Sequence, residues 1–222
     1  QDGGTGWGGG WQLNGGISAG HFLAGNNVSN LQLGSQAWGL WANNGGLSDA
    51  VRPLVATLHV GDVMHLRFEN NWIEGGASAG LGWQNRFGQN LVEFLFIGGA
   101  TNYMLNDAVI NRATGIPLTD QGLTLEFEML SADTYRLTAN SVTLTGQVAA
   151  TSESVVDRIR TWNYETAGGG HGEGYNVYLS EVSIQGAALE SSVFQDEVAI
   201  TRQPGRLSDA DGDGFVTWEE EF

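Results

Sequence analysis

In the stretch LSDADGDGFVTWEEEF, Leu207 to Phe222, the carboxylates of Asp209, Asp211 and Asp213 fall on alternate residues. Alternate residues of a tightly curled loop point inward, so these side chains converge on one point. Gly214 permits the sharp turn, Phe215 brings a main-chain carbonyl, Thr217 a hydroxyl, and Glu220 a carboxylate able to bind through both oxygens. These are the oxygen donors at positions one, three, five, seven, nine and twelve of a twelve-residue loop. A hard cation that takes about six to eight oxygens at about 2.3–2.6 Å requires such a set, and Ca2+ is the expected ion. The competing reading, a solvated acidic tail, would require neither the glycine nor the distant glutamate.

Other chemistry is weaker. Glu126 and Glu128 lie two apart on one face of an alternating segment, about 6.6 Å from each other by the rise of a strand. That separation falls between the retaining and inverting ranges of paired glycosidase carboxylates, but an alternating strand places such residues toward solvent anyway. Glu93 stands alone between Val92 and Phe94, where a hydrogen-bonded structural role outweighs a catalytic one. His21, His59, His65 and His171 show no metal-ligand spacing, and no serine sits in a Gly-x-Ser-x-Gly elbow. GGGHGEG, Gly168 to Gly174, lacks the lysine of a phosphate loop and reads as a hairpin end. Eight tryptophans admit stacking on sugar rings. Trp41, Trp72 and Trp83 are the candidate platforms, set against the ordinary fate of a buried core residue.

The elements that must carry these residues are strands. The 222 residues include 34 Gly, three Pro and no Cys, with 41% hydrophobic, enough for a core held by packing without disulfides. The formal charge of -16, with every basic residue an arginine, disfavours nucleic acid and anionic membrane surfaces. No apolar run is long enough for a membrane-spanning helix. From about Gln36 short segments alternate with period two between turn residues. TLEFEML places Leu125, Phe127 and Met129 on one face, with TYRLTA and VTLTG following after turns. LVATLHVGDVMHLRF predicts a hairpin turning at Gly61-Asp62. Further strands are expected near 77–86, 91–97, 101–105, 155–163 and 175–185. QDGGTGWGGGWQLNGGISAG, too rich in glycine for a helix, is expected to lie against a surface through Trp7 and Trp11.

GLGWQNRFGQNLVEFLFIGG, GLTLEFEML, TYRLTA, TLTG and RIRTWNYETAGGGHGEGYNVYLSEVSI together resemble the concanavalin-like or laminin-G-like jelly-roll domains of secreted bacterial surface proteins, over about Gly34 to Gln185. The resemblance implies an all-β, two-sheet antiparallel jelly-roll sandwich that binds glycans, bridges proteins or serves as a spacer, with calcium in some members. The loop at 209–220 matches an EF-hand, but Pro204-Gly205 occupies the place of its entering helix and only WEEEF remains for the exit helix. This half-hand resembles dockerin-like and thrombospondin-type-3-like segments, which implies a structural calcium staple rather than a sensor.

The expected organisation is a Gly-rich segment at 1–33, a sandwich at 34–186, a strand-like connector or arm at 187–206 and the calcium loop at 207–222. The leading expectation is a non-catalytic, calcium-stabilised extracellular or cell-surface protein that forms a homo-oligomer or fibril through its terminal segments. The alternative is a carbohydrate-binding, lectin-like module of a larger secreted protein with polysaccharide as partner. A glycoside hydrolase ranks third.

Overall fold

The computed structural model describes residues 5–25, 36–166 and 172–186. The expected calcium loop (Asp209, Asp211, Asp213, Phe215, Thr217 and Glu220), the expected connector and His171 lie outside the described residues. The chain divides into the units Gln1–Gly186 and Ala187–Phe222, and all that follows concerns the first.

Among the described residues fourteen strands form two antiparallel sheets of seven. One sheet runs in the order β1 (Gln12–Asn14), β4 (Gly46–Pro53), β13 (Arg158–Glu165), β6 (Ser78–Gln84), β7 (Asn90–Ile97), β8 (Asn102–Asn106), β9 (Asn111–Pro117). The other runs β12 (Val142–Gln147), β11 (Thr134–Ala139), β10 (Leu123–Met129), β5 (Val63–Asn70), β14 (Val177–Gln185), β3 (Gln36–Ala42), β2 (Ala19–Gly25). The all-β sandwich expected from the sequence is therefore present.

Alternation selects the buried face. Met64, Leu66 and Phe68 of β5 and Leu125, Phe127 and Met129 of β10 point into the core. Glu126 and Glu128 point outward, as period-two patterning requires. The sheets meet through aromatic rings: Trp83 of β6 stacks on Phe127 of β10 at 4.3 Å between centroids, and Phe127 in turn on Tyr135 of β11 at 5.2 Å. The Tyr103 hydroxyl of β8 crosses the sandwich to donate to Asn70 Oδ1 of β5 at 2.7 Å. Burial, reinforced by the charge of Glu69, pushes Tyr103 far above its ordinary pKa, so it stays a neutral donor.

Two expectations are corrected. LVATLHV forms no strand beyond the isolated Trp7–Leu54 bridge, and β5 pairs with β10 and β14 instead. The reason is that Leu54 and Leu58 anchor an irregular crossing, with the Leu58 amide donating to Val156 O, while Val55 and Val60 face outward. The Gly-rich start does more than pack on a finished sandwich, since β1 extends one sheet and β2 the other. Here glycine permits close approach. A Cβ on Gly39 would sit 2.3 Å from the Phe22 ring, and one on Gly20 would sit 2.8 Å from Trp41 Nε1.

Candidate functional site

Sheet topology brings three loops to one end of the sandwich. Because β5 runs antiparallel to both of its neighbours, the exit of β5 at Asn70 lies beside the entrances of β10 and β14. The loop after β5, the β9–β10 loop and the 3-10 turn Gly172–Tyr175 therefore crowd together. Between them opens a cleft of about 580 Å³ lined by Asn70, Asn71, Trp72, Leu118, Thr119, Asp120 and Gly174. That volume is in the range of small-molecule sites.

Trp72 is the prominent wall. It is 50% exposed, unusual for so large an apolar residue, yet it is held at both ends. Its main-chain N–H donates to Gly174 O at 2.9 Å, and its indole N–H donates to Glu74 Oε2 at 3.1 Å. The other Glu74 oxygen accepts the Tyr175 hydroxyl at 3.3 Å. Glu74 thus links the loop after β5 to the turn before β14 and fixes the ring that both present. At the floor, Asn70 is fully buried and tied to Tyr103.

Behind this wall lies a second carboxylate. Glu165, at the end of β13, is buried and accepts the Glu74 amide N–H at 3.3 Å through Oε2, while Oε1 has no hydrogen-bond partner among the described residues. Burial, and then the charge of Glu74, raises its pKa to about 7. Burial and the same neighbouring carboxylates also push Tyr175 upward.

The candidate tryptophans separate on exposure. Trp72 stands exposed on the cleft wall. Trp83 does not, because it is fully buried between the sheets against Phe127. Trp41 is half-buried over Gly20 on the neighbouring strand and takes no part in the cleft. Trp38 lines a smaller hollow of about 240 Å³ with Trp11.

The candidate acids are not gathered into this cleft. Glu126 pairs with His65 at 3.4 Å and Glu128 with Arg136 on the outward face. The Glu93 carboxylate accepts from the side-chain amides of Asn90 and Asn106 on its own sheet. His59 meets Asp62 at 3.5 Å, and His21 shares a hydrogen bond with Ser48 at 3.1 Å. Among the described residues no group of three or more His, Cys, Asp or Glu could hold a metal. Asn71, Leu118, Thr119, Asp120 and Gly174 were missed by sequence reasoning, because each is an ordinary turn residue and only strand pairing assembles them.

No family model matches the chain, and no curated protein matches it. Among solved structures it is similar to part of a sialidase, with TM-score 0.59 and 7% identity over 82% of this chain and 17% of that one. It is also similar to the receptor binding domain of botulinum neurotoxin D, with TM-score 0.50 and 9% identity over 87% of this chain and 49% of that one. A carbohydrate binding module from Bacillus subtilis matches with TM-score 0.46 and 9% identity over 79% of this chain and 94% of the module. At such identities the likeness to the first two shows the fold alone, an antiparallel jelly-roll β-sandwich.

Proposed function

We propose that this chain is a carbohydrate-binding module of an extracellular protein, that the cleft at Trp72 is its glycan site, and that a Ca2+ loop staples its C-terminal part. The single observation that carries the glycan reading is the Trp72 ring, half exposed yet clamped by Glu74, beside side-chain amide, hydroxyl and carboxylate groups. A flat apolar face suits the C–H face of a pyranose, and convergent polar groups suit its hydroxyls. Holding the ring in place before binding lowers the ordering cost of association. The binding module of the same fold class is consistent with this reading. Self-assembly has less support, because the C-terminal arm it needs lies outside the described residues and the Gly-rich start is paired with strands of its own sandwich. Asp209, Asp211, Asp213, Phe215, Thr217 and Glu220 would hold the calcium, a part of the proposal carried by sequence spacing alone.

The test is polysaccharide affinity electrophoresis with the Trp72→Ala variant. Binding should fall at least about tenfold, at about 1.4 kcal/mol per decade, with circular dichroism unchanged because the ring lies outside the core. Equal retardation of variant and parent by every bound polymer would refute the site.

A further inference from the structure

Resting on the reading of the Trp72 cleft as a glycan site, we infer that this cleft takes saccharides carrying no carboxylate, sulfate or phosphate and rejects anionic glycans. An anionic sugar brings a charge that must be neutralised or left in water, and a bound carboxylate or sulfate calls for Arg or Lys. Among the described residues the cleft lining has neither. The chain contains no lysine at all. Every arginine among the described residues is engaged elsewhere. Arg52 lies over Trp7, Arg67 faces Glu181, Arg86 faces Glu153, Arg136 faces Glu128 and Arg160 faces Asp49. Arg112 and Arg158 donate to the carbonyls of Thr145 and Arg86.

Among the described residues the charges at the cleft are negative: Asp120 stands on its wall and Glu74 holds the indole, with the buried Glu165 carboxyl behind Glu74. The raised pKa of Glu165 registers this crowding, since Glu74 contributes to it after burial. Toward a neutral sugar the same groups are useful: a carboxylate accepts hydrogen bonds from hydroxyls, and the Asn71 amide and Thr119 hydroxyl both donate and accept. The field that repels a uronic acid therefore leaves a neutral pyranose with partners.

The experiment uses the full chain at low ionic strength, with matched polymers: dextran and dextran sulfate, and mannan, β-glucan and alginate. Retention by one or more neutral polymers and by neither anionic one, lost in Trp72→Ala, is the expected result. Asp120→Asn should narrow the preference for a neutral over an anionic ligand by about tenfold, the effect of removing one close like charge. Trp72-dependent binding of alginate or dextran sulfate without neutral binding would overturn the selectivity and leave the glycan site standing. An unchanged preference in Asp120→Asn would overturn the electrostatic argument. Absence of Trp72-dependent binding to any polymer would overturn the site and the selectivity together.

Discussion

At the scale of single residues, Glu165 is the most consequential titrating group. Its carboxyl is buried against Glu74 with no ion pair among the described residues, and its pKa rises from 4.5 to about 7. The folded chain thus holds this proton more tightly than the unfolded chain does. The resulting contribution to stability is fully present below about pH 4.5 and is lost as the pH rises through about 7. Glu165→Gln keeps the size and removes the charge, so it should flatten the dependence between these limits and stabilise the chain at pH 8 by on the order of 2 kcal/mol. Urea denaturation of both proteins at pH 5 and pH 8 checks this. A variant whose stability tracks the parent at both values would show that Glu165 does not hold its proton there. The role of this residue was not legible beforehand: in WNYET it is one polar residue of an alternating strand, and its neighbour Glu74 is 91 positions away.

At the scale of elements, the strands of the second half were legible because their period-two patterning coincides with their burial, as in β10 and β11. The first half was harder to read. Glycine hides strands by removing the side chains on which alternation depends, and β2 and β3 use glycine where rings from the neighbouring strand need room. The apolar spacing of LVATLHV predicted a strand where Leu54 and Leu58 are the buried anchors of an irregular crossing. One glycine bears on function. A Cβ on Gly98, after β7, would lie 1.6 Å from Glu74 O and 2.8 Å from Ile73 O, both main-chain atoms that cannot swing aside. Gly98→Ala must therefore displace the loop that carries Trp72 and Glu74. Calorimetric titration should show weakened glycan binding, about tenfold or more, in a protein that still folds. Unaltered affinity would mean that the loop relaxes without moving the ring.

At the scale of the whole molecule, the sandwich and its class were readable from strand count and turn spacing, whereas the cleft was not, because it exists only where separated strands end side by side. The proposed calcium loop is the reverse case, with all its candidate ligands within one short stretch of sequence. Its occupation should protect its own surroundings and leave the sandwich unchanged. At a hundred times the dissociation constant, bound calcium stabilises the segment it orders by about 2.7 kcal/mol. Trypsin cleavage at Arg202 and Arg206 should accordingly slow on adding Ca2+ and stay fast in Asp209→Ala or Glu220→Ala. Identical digestion with calcium and with chelator would count against the loop.

The Asn70–Tyr103 bond lies under the cleft and inside the core at once, whereas Thr119 and Asp120 stand on a connection, 118–122, that holds no buried residue. Ligand choice and structural integrity are thus carried by different parts of the chain. Grafting foreign sequences between 118 and 122 should redirect recognition while the melting temperature stays close to that of the parent, whereas a graft between 71 and 77 must keep Ile73 and Ala77, which are buried in the core.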